Sequence, residues 1–322
     1  MSTRQKIRVA LIGAGGMANN MHYPSLKRME DVEMCAICDV IPDKLAATAE
    51  KFAIPRQYND YKKMLAEEAP DAVYALMPPH NLFDVAAYCL MQKHNLFIEK
   101  PPAITTEQTR QLAILAKKNG CITMTGFQRR HVPLIQKAKE LVESKGKIHS
   151  CVATFYKFNG KTPNYNGAVD ILTSDAIHAV DTLRWMAGGD VKSVASDCRR
   201  LQADIHNCFY ALITFTSGAT GILLTNWVSG RRLFQVEMHS DGAFATADPD
   251  EGARIFKDGD IKGEWLDTKQ AAGDESSFVY TGFFAENRHF IDCVKSKTLP
   301  TSHLGDALKT MELVDKIYSS QI

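Results

Sequence analysis

Ile7 to Ile12 is an apolar run of strand length, and Gly13-Ala14-Gly15-Gly16-Met17-Ala18 follows it directly. No other stretch constrains the fold as much. A lone GxGxxA pattern is weak, but here it follows a strand, opens a helix and sits in a strand–helix–strand unit. In that context Gly13 permits the tight turn and Gly15 lets the backbone approach a pyrophosphate. Ala18 allows the helix to pack closely on the strand. The free N–H groups at the helix start, around Gly16 and Met17, then face the phosphates. Asp39 closes a second apolar run, Val32 to Cys38. It lies about twenty residues past the loop, where an acid can bond the adenosine ribose hydroxyls. Val40 and Ile41 follow, with no arginine to hold a 2′-phosphate, so NAD is expected rather than NADP.

The alternation continues. Pro42 opens a helix toward Phe52, as proline does at a first turn. Asp71 to Met77 reads as a third strand closed by Pro78 and Pro79. A helix over Leu82 to Lys93, a strand over Leu96 to Ile98, a helix over Thr105 to Asn119 and a strand over Ile122 to Thr125 complete the pattern. Strands alternating with helices imply a doubly wound parallel sheet, a Rossmann domain. After Gly126 the texture changes. One helix, Val132 to Ser144, precedes stretches rich in Thr, Phe, Tyr and Val at 148–158, 191–197, 207–216, 219–228 and 233–240. These read as antiparallel strands with turns at Ser217-Gly218 and Ser240-Asp241-Gly242. Two helical patterns, Phe283 to Lys295 and Leu304 to Ser319, end the chain. The fold expected is an α/β Rossmann domain over 1–126 and an α+β domain over 127–322 with a large, mostly antiparallel open sheet. The final helices are free to fold back across that boundary.

Composition narrows the function. With 322 residues the chain can build two cores. A net charge of +1 leaves no broad basic face for nucleic acid. No apolar run approaches the ~18 residues of a membrane span. The N-terminal segment reads as the first strand rather than a leader, so a cytoplasmic protein is expected. The eight cysteines are scattered. Cys35 and Cys38 form a CxxC, but an odd spacing on a strand sends the two thiols to opposite faces. They are read as structural thiols, and no metal centre is expected.

The stretch FIEKPPA, Phe97 to Ala103, ends a strand in an acid, a cation and two prolines. Two readings compete: a solvated charge pair, or a lysine delivered into a cleft. The motifs GAGGMA, FIEKPP, GFQRRHVP and SDAIHAVDTLRWMAG, with the closing GFFAENRHFIDCV and GDALKTMELVDKIYSS, favour the second. Together they resemble the Gfo/Idh/MocA oxidoreductases, which include glucose–fructose oxidoreductase and inositol dehydrogenase. The resemblance spans nearly the whole chain. It implies an NAD-dependent dehydrogenase or reductase acting on the CH–OH group of a sugar, polyol or sugar derivative. It also implies an oligomer, a homodimer or homotetramer, built through the open sheet.

Carried onto this sequence, the resemblance makes Lys100 catalytic, at a strand end beside the nicotinamide. The Lys–Pro bond is often cis in the family, which makes Pro101 a rigid device that aims the lysine. A lysine ammonium there can orient an alcohol and stabilise a developing alkoxide. Pro79, His80, Glu99 and Lys100 join the cofactor-side set, with His80 alternatively capping its loop. Glu99 faces the other side of the strand and is read as bonding a backbone group. His178 titrates near neutrality and can take the hydroxyl proton. At helical spacing it shares a face with Ser174 and Asp181, with Asp175 at the margin. Many family members carry an Asp four residues before this histidine, whereas this chain has Ser174 there and Asp175 next to it. Either Asp175 takes that role by a small rotation, or Ser174 bonds substrate. Arg129 and Arg130 are read as meeting substrate or as forming an interdomain ion pair. Tyr156, Tyr165, Asn226 and Trp227 are candidates for a sugar pocket. Two other functions stay open: an NAD-dependent glycoside hydrolase working through transient oxidation, and a non-catalytic NAD- or sugar-sensing protein.

Overall fold

The structure is a computed structural model and describes residues 6–158 and 162–322. The chain divides into two compact units. Met1–Gly126 and Phe283–Leu308 form one; Phe127–Gly282 and Lys309–Ile322 form the other.

The first unit holds six strands: β1 (Ile7–Ile12), β2 (Val32–Cys38), β3 (Arg56–Tyr58), β4 (Ala72–Ala75), β5 (Asn95–Glu99) and β6 (Thr123–Gly126). They lie in the order β3-β2-β1-β4-β5-β6, and every neighbouring pair is parallel. The continuous apolar runs follow from burial on both faces. Val9, Leu11, Tyr74 and Phe97 face one layer, where Phe290 and Ile291 of helix Phe283–Ser296 pack. Ala10, Ile12, Val73 and Ile98 face the other layer, where Leu82, Ala86 and Leu112 of helices Leu82–Met91 and Thr106–Asn119 pack.

Two elements here escape the apolar pattern. β3 is a three-residue, mostly exposed edge strand, and helix Tyr61–Glu68 is short and polar. The cysteine expectation is also corrected. The β1–β2 register slips between Val9 and Ala10, which pair with Met34 and Ala36, so Cys35 is an extra residue in a bulge. The bulge restores Cys35 and Cys38 to the same side, in one core layer with Ala36. Both remain free thiols, and burial pushes each up to about 11.

The second unit holds β7 (Ser150–Phe158), β8 (Val191–Arg199), β9 (Cys208–Phe215), β10 (Thr220–Asn226), β11 (Val228–Ser240), β12 (Ala243–Asp248), β13 (Gly252–Lys257) and β14 (Glu264–Asp267). The order is β14-β13-β12-β11-β7-β10-β9-β8. All pairs are antiparallel except β7 with β10, so the sheet is the large, mostly antiparallel one expected. Strands β12 to β14 continue the sheet beyond the expected runs. Residues alternate along each strand. Cys151, Ala153, Phe155, Leu223, Phe234 and Val236 are buried on the face covered by helices Pro133–Glu143 and Ile177–Ala187. On the other face Leu212 and Ile222 remain 51% and 40% exposed.

Candidate active site

Gly13 follows β1 with φ +107°, and a Cβ there would meet the Leu76 carbonyl oxygen at 2.2 Å. Only glycine fits, because this left-handed backbone lies against the end of β4. A Cβ at Gly15 or Gly16 would meet nothing within 4 Å, which leaves open space above the loop. The helix that follows contains a π-turn over Ala18–His22 and ends at Lys27. Met17 stands at its start, and no side chain caps the first turn. Uncapped amides over an open glycine surface fit a pyrophosphate. Asp39 Oδ2 accepts from the Ala14 amide at 2.6 Å, and Oδ1 accepts from the Ile41 amide at 2.8 Å. The acid therefore ties β2 to the loop and keeps lone pairs for ribose hydroxyls. Among these residues a dinucleotide fits. Pro79 is buried at the turn after β4, and His80 is exposed there.

Lys100 directly follows β5, and the Lys100–Pro101 bond is cis. Glu99 Oε2 accepts from the Lys100 amide at 3.0 Å. His22 Nε2 donates to Glu99 Oε1 at 2.7 Å. Asn287 Nδ2 donates to the Phe283 carbonyl at 2.7 Å and lies 3.2 Å from His22 Nδ1. Asn287 Oδ1 lies 3.3 Å from the same Nδ1, so the Asn287 amide fixes the ring with Nε2 aimed at Glu99. Burial alone would raise the Glu99 carboxyl. The His22 and Lys100 contacts outweigh it and hold the acid below its ordinary value. Glu99 thus bonds a backbone group and a buried histidine. The sequence alone assigns no role to His22, which stands outside the quoted motifs, or to Asn287, which stands within GFFAENRHFIDCV.

In the second unit a π-turn over Leu172–Ala176 runs into helix Ile177–Ala187, which carries the buried His178. π-turns insert one residue into a helix and often mark functional positions. Ser174 is buried: its hydroxyl donates to the Asp170 carbonyl and accepts from Asn164 Nδ2, both at 2.7 Å. These partners satisfy the hydroxyl within the fold and oppose a substrate role for it. Asp175 instead stays partly exposed and forms an ion pair with Lys157 of β7. Asp181, expected on the His178 face, is taken by Arg130, at 2.7 Å and 2.6 Å, and by Thr310. Arg130 therefore bonds Asp181 inside the second unit, with both side chains buried.

Arg129 differs from its neighbour. It is 7% exposed, its guanidinium lies 4.3 Å over the Phe234 ring, and its Nε has no hydrogen-bond partner. Burial pulls it down to about 10, with Arg232 adding to the effect and Asp250, Asp248 and Asp175 opposing it. Burying a cation costs several kcal/mol, whereas a ring contact returns about 0.5–2 kcal/mol. Phe234 alone does not offset the burial. Lys157 lies 5.0 Å from the Phe155 ring centre and 5.7 Å from that of Trp227, which is buried. Tyr156 and Asn226 do not join this group. Strand alternation puts them on the opposite face of the sheet from Phe155, Lys157 and the His178 helix, which corrects their assignment to the same pocket. Tyr165, in the turn Asn164–Gly167, is 43% exposed.

Residues 7–127 match the oxidoreductase family with an NAD-binding Rossmann fold, and residues 135–244 match the GFO/IDH/MocA C-terminal domain. A D-apiose dehydrogenase of Paraburkholderia graminis is 26% identical over 338 residues, covering 99% of this chain and 88% of that protein. A myo-inositol 2-dehydrogenase of Thermotoga maritima is 27% identical over 226 residues, covering 67% of each chain. A levoglucosan dehydrogenase solved with NADH and levoglucosan superposes with a TM-score of 0.85 at 17% identity, covering 98% of this chain and 97% of that one. With the glycine loop, Asp39 and the six-stranded sheet in hand, the chain belongs to the GFO/IDH/MocA oxidoreductase family and is an NAD-dependent oxidoreductase.

Proposed function

We propose that this oxidoreductase exchanges hydride with a secondary alcohol or ketone of a sugar, polyol or sugar derivative. One observation carries the reading. The glycine loop after β1, Asp39 after β2 and Lys100 after β5 all stand at the carboxyl ends of one parallel sheet, where such sheets bind ligands. Relatives named for D-apiose and myo-inositol support a polyhydroxylated substrate. NAD, when bound, supplies the hydride acceptor. Gly13, Gly15, Gly16, Met17 and Ala18 hold its pyrophosphate, Asp39 its ribose hydroxyls, and Pro79 and His80 border it. Lys100 hydrogen-bonds the carbinol oxygen and stabilises the charge that grows there as the C–H bond breaks. His178 takes the hydroxyl proton, and Asp175, anchored by Lys157, supports the imidazolium. In the reverse direction His178 returns the proton.

The protein is proposed to act in the cytoplasm as a homodimer or homotetramer. All eight cysteines are unpaired, which suits a reducing compartment.

The test is a panel of sugars, inositols and sugar acids with NAD, read at the NADH absorbance band. Lys100→Ala should lower kcat by about 10² or more and leave NADH binding nearly intact. Turnover by this variant at the wild-type rate would sink the proposed chemistry.

A further inference from the structure

Arg129 sits in a cluster confined to the second unit. Phe155 packs against Phe234 and Trp227, with ring centres 5.2 Å and 5.1 Å apart. Three cations border these rings: Arg129 over Phe234, Lys157 over Phe155 and Trp227, and Arg232 over Phe155 at 6.0 Å. Two of them have an acid in contact. Lys157 pairs with Asp175, and Arg232 pairs with Asp250. Arg129, the most buried of the three, has no carboxylate in contact among the described residues. A second buried donor in the cluster, Trp227 Nε1–H, also lacks an acceptor. Buried donors in folded proteins are almost always satisfied by protein groups or ordered water, and no protein group among the described residues satisfies these two.

We propose that Arg129 recognises a carboxylate on the substrate, so that the substrate class is sugar acids, aldonates or uronates, rather than neutral sugars. The inference rests on the proposed hydride-transfer reading and narrows it. Guanidinium presents a planar donor fork that matches a carboxylate in two parallel hydrogen bonds. Charge favours the same group. One cation lacks a contact anion, so the site calls for one negative charge. A phosphate dianion would need a second, and both flanking cations already have acids. Asp175 and Asp250 also repel a carboxylate from the flanks and leave the Arg129 position as its place.

The experiment compares D-gluconate, D-glucuronate and D-galacturonate with D-glucose, D-galactose and D-glucose 6-phosphate. Binding to NADH-loaded protein is read by calorimetry, and turnover with NAD by absorbance. The carboxylates should bind at least about thirtyfold more tightly than the neutral sugars, as expected for a buried charge pair. Added salt should weaken that preference little. Arg129→Gln should abolish the preference and Arg129→Lys should restore part of it, with folding checked by circular dichroism and thermal melting. Neutral sugars binding as tightly as the acids in the wild-type protein would overturn the inference, and so would tighter binding of the phosphate. The arms separate the two claims. Carboxylate preference without NADH formation supports Arg129 and defeats the hydride-transfer reading. NADH formation from neutral sugars without carboxylate preference does the reverse.

Discussion

His22 Nε2 lies 2.7 Å from Glu99 Oε1, which joins the helix behind the nucleotide loop to the strand end that precedes Lys100. The same carboxylate accepts the Lys100 amide, so its two oxygens tie a cofactor element to a candidate catalytic one. Gly126 lies opposite Glu99 in the β5–β6 register, and a Cβ there would stand 3.4 Å from the carboxylate. The acid therefore occupies a fitted slot, and its charge is held by defined donors rather than by solvent.

Glu99→Gln should destabilise the protein by about 1.5–3 kcal/mol at neutral pH, the usual range for a hydrogen bond to a charged group. The pH dependence has a definite sign. The Glu99 carboxyl is lowered in the folded state, so its stabilisation is present above the unfolded carboxyl range, about 4.3, and is lost as pH falls through the lower folded value. Urea midpoints of wild type and variant should differ at neutral pH, with the gap closing below about pH 4. A gap that widens in acid would contradict the assigned contacts.

Two glycines separated by one residue, Gly13 and Gly15, should behave in opposite ways. Gly13→Ala drives a Cβ into the Leu76 carbonyl at a backbone angle that L residues rarely adopt. Its melting temperature should fall even without NAD, by the equivalent of about 1–3 kcal/mol or more. Gly15→Ala meets nothing in the protein, so the NAD-free form should melt near or above the wild type. Its NADH affinity should drop at least about tenfold, because the methyl enters the space a pyrophosphate would fill. Fluorescence titration with NADH distinguishes the two. Unchanged affinity in Gly15→Ala would remove the phosphate from this loop.

Much of this architecture is legible in the residues because local signals agree. The apolar run of β1, the Gly13 turn and the proline after β4 each name their own structure. What escapes the sequence is set by partners far along the chain. Lys157 acquires its meaning from Asp175, and Arg129 from Phe234 and Arg232. Helical spacing put Ser174 on the His178 face. The π-turn shifts that phase by a residue, and period counting does not register it. The bulge at Cys35 defeats the two-residue alternation in the same manner.

Arg130 and Asp181 should carry stability rather than catalysis. Their side chains meet through two short hydrogen bonds and are nearly inaccessible to water. Asp181→Asn leaves a buried guanidinium without its counter-charge, which should cost about 3–5 kcal/mol. Arg130→Met with Asp181→Leu removes both charges and should recover part of that loss, because neither ion is then stranded. Chemical denaturation of the three proteins measures the coupling. A single variant as stable as wild type would show that the pair is not buried in solution.

The open face of the second sheet gives the last expectation. Leu212 of β9 stands directly opposite Ile222 of β10, and Ile222 pairs in turn with Val152 of β7. Single exposed apolar residues need no explanation, but two in cross-strand register beside the half-buried Val152 do. A sheet face of this kind is covered most simply by a second copy of itself, since a twofold axis lets the same patch meet its mate. Leu212→Glu with Ile222→Glu should place four like charges in such an interface and shift sedimentation toward the monomer. Both positions are solvent-facing within one chain, so the variant's circular dichroism should match the wild type. If the wild-type protein already sediments as a monomer at micromolar concentration, the apolar patch has no homotypic partner and the proposed oligomer falls with it.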